Sequence, residues 1–198
     1  MATGDCENAF CEAARRDGIV LTRYKMPWLN QQGHFGLPVQ ASHVIDPLHD
    51  IFLELGGDGI TQAAKRRTPL PGDFFHPETR TIIEVDEVHH FTSFRLRSFD
   101  FYPTETPIGF DLGEYKDLCR RLAPKADSYR RTKTAPAFGM GGRQRQRAYY
   151  DALRDLSAPA IGLPPVLRVA APDIDGSVAY SRYRDRIRGC LEDAGKML

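Results

Sequence analysis

Apolar side chains recur along this chain with two different periods. Over residues 5–17, Ala9, Phe10, Ala13 and Ala14 gather on one side of a helix, with Glu7 near its start and Gly18 as the stop. Helical spacing returns at 92–102, where Phe94, Leu96 and Phe99 are apolar and Pro103 ends the run. It appears again at 113–122, 143–156 and 178–194. Strand-like runs occupy 72–76 and 81–86, separated by the turn-like tetrad Pro77-Glu78-Thr79-Arg80, and predict a hairpin. A compact β-run follows at 165–170 (PVLRVA). Residues 44–55 suit a helix or a strand equally, and Gly56-Gly57-Asp58-Gly59 ends them. Residues 18–42, rich in Gly, Pro, Gln and Asn, predict a long ordered excursion anchored by Trp28 and Phe35; the basic, Gly-rich stretch 123–142 predicts a mobile loop. The order helix, hairpin, helices, strand, helix predicts one α/β domain with a central mixed β-sheet flanked by helices, carrying insertions around 18–55 and 101–142.

Composition narrows this little. A chain of 198 residues supports one well-developed core, and 41% hydrophobic with 27% charged residues suits a globular protein. No apolar run approaches the roughly 18 residues of a membrane span, and the N-terminus lacks the basic-then-apolar layout of a signal peptide. A cytoplasmic protein without a membrane partner is expected. Cys6, Cys11, Cys119 and Cys190 form no CxxC pair, so reduced thiols are expected. The net charge of +1 is uninformative, but its distribution is not. Lys125, Arg130, Arg131, Lys133, Arg143, Arg145 and Arg147 cluster around a single acid, Asp127, and Lys65-Arg66-Arg67 forms a second basic knot. Such patches suit a phosphodiester substrate.

The candidate chemistry lies in LPGDFFHPETRTIIEVDEVHHF, residues 70–91. Asp73 precedes Glu84 by eleven positions, Asp86 follows two later, and His89 and His90 close the segment. Charges inside a β-branched run are expensive to bury without a compensating cation, which points to a divalent metal. Mg²⁺ or Mn²⁺ would take oxygen ligands from Asp73, Glu84 and the Val85 carbonyl. Strand alternation places Glu84 and Asp86 on one face and Val85 on the other. His90 suits a general base or a leaving-group acid. Asp86 would either complete a second metal site with Glu7 or hold His90 in one tautomer.

The pattern Pro71-Gly72-Asp73, a spacer, then Glu84-Val85-Asp86 resembles the PD-(D/E)XK nuclease superfamily. The run Ile83-Glu84-Val85-Asp86-Glu87-Val88-His89-His90-Phe91 is most similar to the branch containing very-short-patch-repair-like endonucleases, in which a histidine commonly stands six residues after the glutamate, here His90. Glu7 matches an acid often found on the first helix. Residues 149–169 resemble a helix-then-strand ending in which an Asp and an Arg on the helix precede a strand with "LR". About half the chain is covered. The resemblance implies a restriction-endonuclease-like fold and a metal-dependent endonuclease hydrolysing DNA, with RNA as an alternative substrate, in restriction, repair or phage defence. It implies catalytic roles for Asp73, Glu84, Asp86, His90 and Glu7, and a homodimer or partner protein for target recognition. Lys65, Arg66, Arg67, Arg143, Arg145 and Arg147 are the candidate nucleic-acid contacts. One departure is plain: Asp86 stands where the superfamily usually has a lysine. Another base, His90 or Lys65, would then be needed, or the chain is a weakened nuclease fold that binds nucleic acid or assembles a complex.

Overall fold

The computed structural model describes residues 4–196. Helix α1 (Asp5–Arg16) buries Cys6, Phe10 and Ala14, a four-residue spacing that presents one face, and the chain leaves it through Gly18 at φ 80°. Strand β1 (Thr22–Asn30) follows, then two short 3₁₀ turns, helix α2 (Ile45–Glu54) and the short helix α3 (Gly59–Ala63). The Asp58 side chain caps α3 by accepting from the Ile60 and Thr61 amides. Strands β2 (Pro69–His76) and β3 (Thr81–Glu87) form the hairpin. Its turn is fixed by Arg80 at φ 56° and by hydrogen bonds linking His76, Thr79 and Thr81. Helices α4 (Ser93–Ser98), α5 (Leu112–Ala126) and α6 (Arg143–Ala160) lead to strand β4 (Leu167–Ala171) and helix α7 (Gly176–Lys196).

The sheet order is β1-β2-β3-β4, antiparallel except for the parallel β3–β4 pair. Helices cover both faces, so the protein is a single α/β domain around a four-stranded mixed sheet. On one face α2 and α6 pack Leu48, Ile51, Phe52, Leu153 and Leu156 against Met26, Leu29 and Ile82. On the other, α1 and α7 pack Phe10, Tyr180 and Ile187 against Phe74, Ile83, Val85 and Val169. A third cluster joins Phe91 and Phe99 to Tyr115 and Cys119 of α5.

Three expectations change. The excursion at 18–42 contains a full strand, β1, whose register against β2 shifts between Arg23 and Tyr24 and again between Met26 and Asn30. Such irregularities break the alternation by which a strand is recognised in sequence. Residues 44–55 resolve as helix, with Leu48, Ile51, Phe52 and Leu55 buried. The expected mobile loop at 123–142 is partly helix, and Ala135, Ala137 and Phe138 tie its second half into the core.

Candidate active site

Strands β2 and β3 pair only from Phe74–His76 to Thr81–Ile83. Beyond Phe74 and Ile83 their backbones separate, and the carboxylates of Asp73 and Glu84 fill the gap. Asp73 Oδ2 accepts from the Val85 amide at 2.8 Å, and Glu84 Oε1 accepts from the Asp73 amide at 3.4 Å. Gly72 is required here, since a Cβ would stand 2.8 Å from Glu84 Oε1. Burial drives both carboxyls up, Asp73 to about 7 with help from the Glu7 charge, and Glu84 to about 8 against the pull of Arg154. A carboxylate pair of this kind favours a cation beside it.

Helix α6 supplies the opposite wall. Arg143, Arg147, Asp151 and Arg154 recur at helical spacing on one face and, with Asp73, Glu84 and His90, line a cleft of about 280 Å³. A second cleft of about 500 Å³ shares Asp73, His90, Arg143 and Arg147 and reaches Glu7 and Tyr129. The two clefts meet at Asp73. A groove of about 560 Å³ between α5 and α7 is lined by Glu114, Asp117, Arg121 and Arg182, all surface groups.

His90 donates through Nδ1–H to Asp151 Oδ2 at 2.9 Å and stands 3.2 Å from Asp86 Oδ1, leaving Nε2 for the cleft. Asp151 is held well below the usual carboxylate range. Its burial opposes this, but the His90 imidazole and the Arg168 guanidinium outweigh that penalty. His89 packs against Tyr129 with ring centroids 5.3 Å apart, and burial first, then the neighbouring His90 and Arg147, push its imidazole down to about 2.

The remaining sequence candidates divide sharply. Asp86 shares the face of Glu84 but is fully buried, with both oxygens 2.9 Å from Arg168 Nη1 and one accepting from the Tyr115 hydroxyl at 2.8 Å. A second metal site joining Asp86 to Glu7 is therefore corrected: Asp86 is saturated inside the fold. Glu7 stands in the second cleft and pairs with Arg23 at 2.6 Å. Of the basic residues, Arg143 and Arg147 line both clefts. Arg145 points elsewhere, donating to the carbonyls of Phe138 and Met140 at 2.6 and 3.0 Å, which corrects its expected role in nucleic-acid contact. Lys65 donates to Gln62 at 2.7 Å and lines neither cleft, so it is no base for this site. Arg66 is exposed, and Arg67, also exposed, bonds Gln32.

Sequence reasoning missed the compensating cations. Arg168, fully buried on β4 opposite Glu84, holds Asp86 and Asp155; Arg95 donates to Asp155 as well. Arg154 stands 3.5 Å from Glu84. The signal was present in Val166-Leu167-Arg168-Val169, a charge inside an apolar strand just like Glu84 in its own. Part of the charge compensation assigned to a metal is thus made by arginine.

Asp73, Glu84 and the Val85 carbonyl form an all-oxygen donor set suited to a hard divalent ion, with room for water and substrate. Among the described residues no three His, Cys, Asp or Glu side chains form a metal-holding group, so the backbone carbonyl is needed as the third ligand. The fit rests on donor chemistry: Glu84 is buried beside the half-buried Asp73, with Arg154 at 3.5 Å from Glu84 as a counter-charge already present. Also among the described residues, no helix is long and apolar enough to cross a membrane. No family model, curated protein or solved structure matches this chain.

Proposed function

We propose that the protein is a metal-dependent endonuclease with a restriction-endonuclease-like fold, hydrolysing phosphodiester bonds in DNA with Mg²⁺ or Mn²⁺. One observation carries the reading: two carboxyl groups, Asp73 and Glu84, meet where β2 and β3 part, inside a cleft walled by arginines and a histidine. Asp73, Glu84 and the Val85 carbonyl would hold the ion, which lowers the pKa of bound water and offsets charge on the scissile phosphate. Arg143 and Arg147 orient the phosphodiester by charge and N–H donation. His90, tethered through Nδ1 to Asp151, takes or returns a proton through Nε2. A role in restriction, repair or phage defence, and recruitment of a second copy or a partner for target recognition, rest on the family resemblance.

Incubation with plasmid, linear DNA and RNA, with either metal and with chelator, tests the reading. Cleavage that needs the metal and disappears in Glu84→Gln is expected; cleavage that survives both Glu84→Gln and Asp73→Asn rejects the site. A weakened fold that only binds nucleic acid is the second reading, favoured by Arg154 beside Glu84 and by buried Asp86 in the usual lysine position. Salt-sensitive binding without cleavage under any metal would select it.

A further inference from the structure

The floor of the cleft contains an arginine whose bonds are incomplete. Arg154 donates Nη2 to the Pro71 carbonyl at 2.7 Å and Nη1 to the Tyr150 carbonyl at 3.0 Å. Those two acceptors anchor one end of the guanidinium between α6 and β2. The side chain is only 11% exposed, yet its Nε–H is buried and finds no acceptor, standing 3.5 Å from Glu84 Oε1 without a hydrogen bond. Asp151 Oδ1, fully buried, stands 3.5 Å from both Arg154 Nη1 and Arg168 Nη2 without a hydrogen bond to either. A buried N–H on a cation that lines a cleft and has no acceptor is a donor that an anionic ligand can complete. Arg168 is committed to Asp86 and Asp155, whereas Arg143 and Arg147 bond Gln146 and the His89 carbonyl and stand farther along the helix from Glu84.

Resting on the nuclease reading, we propose that Arg154 is the catalytic cation of this cleft, holding Glu84 when no divalent ion is bound and donating to the substrate phosphate once it yields that carboxylate. The planar guanidinium is suited to both partners, because carboxylate and phosphate present oxygens at similar spacing. Its anchors on Pro71 and Tyr150 keep the group in place while Nε–H turns from facing Glu84 to donating to the phosphate, a side-chain adjustment alone. Arg154 thereby supplies the positive charge that Asp86, sealed behind Arg168, does not. It also acts as an internal competitor for the ion.

Mn²⁺ titration without nucleic acid, followed by single-turnover DNA cleavage at saturating Mn²⁺, separates the two duties. Arg154→Gln is expected to bind Mn²⁺ several-fold tighter than the parent, by losing a like-charge competitor. It should cut about 100-fold more slowly. Arg154→Lys, which keeps the charge without the fork, should recover part of the rate, and it carries the comparison if Arg154→Gln does not fold. The proposal is overturned if Arg154→Gln cuts at the parental rate at saturating Mn²⁺, or if it binds Mn²⁺ no tighter than the parent. A parent that binds Mn²⁺ yet cuts neither DNA nor RNA rejects the nuclease reading instead, while tighter Mn²⁺ binding by Arg154→Gln would still support the competing duty.

Discussion

Glu84 and Arg168 face each other across the parallel β3–β4 pair, and each is a charge in an apolar strand. Glu84 was legible as a site candidate because its cost was visible in sequence; Arg168 was equally visible but read as part of a strand ending. Its removal should be severe. Arg168→Ala leaves Asp86 buried with its cation gone and Asp155 with Arg95 alone, and denaturant unfolding should show a loss of about 3–5 kcal/mol. Titration of the metal-free protein should show a second effect. Asp73 and Glu84 keep their protons to about pH 7 and 8 when folded, against 3.8 and 4.5 for ordinary carboxyls. The folded state therefore binds more protons over that interval. Their contribution is fully present below the ordinary values and is lost as pH rises through the raised ones. Asp151 works in the opposite sense, contributing above the ordinary carboxylate range and losing its contribution as pH falls below it. Unfolding curves from pH 5 to 9 should decline, and Glu84→Gln should flatten that decline. An unchanged slope would remove Glu84 as its source.

Helix α6 shows why half of the candidate site was hidden. Its periodicity announced a helix, but periodicity does not state which side chains of that helix meet the carboxylates; the fold selects Arg143, Arg147, Asp151 and Arg154. Only the fold brings the helix over the gap between β2 and β3. The hairpin was different: its acids, turn and strands are local in sequence, so the carboxylate cluster could be read directly. Strand β1 was lost because its two register shifts erase the period of two. The seam between α1 and α7 offers a direct test of packing. A Cβ on Gly176 would come 1.8 Å from the Cys6 carbonyl oxygen and 2.6 Å from the Phe10 amide, both backbone atoms. Gly176→Ala should force the helices apart and lower stability by about 1–3 kcal/mol or more in thermal or chemical unfolding. Cleavage per folded molecule should fall less, because Glu7 is the one candidate on α1.

Across the molecule, charge is arranged rather than accumulated. A formal net charge of +1 coexists with arginines along both clefts, so attraction to a polyanion is local. DNA affinity should fall steeply with salt, and the Arg143→Gln/Arg147→Gln double variant should lower the log–log slope by about 2, as expected for two lost phosphate contacts. Arg145→Gln should leave the slope unchanged and cost stability instead, because its donors serve backbone carbonyls. An equal slope change from both variants would refute this division.

The parallel ladder joining Ile83–Glu87 to Leu167–Ala171 has a consequence for the order of assembly. Three antiparallel strands stand early in the chain, whereas their fourth neighbour arrives only after α4, α5 and α6. Pairing over so long a separation is slow compared with hairpin closure. Until β4 docks, Asp86 and Asp155 lack Arg168, and the wall that carries His90 and Asp151 has no fixed footing. A chain truncated before β4 would thus carry every acid of the cleft and still lack the ladder on which Glu84 is seated opposite Arg168.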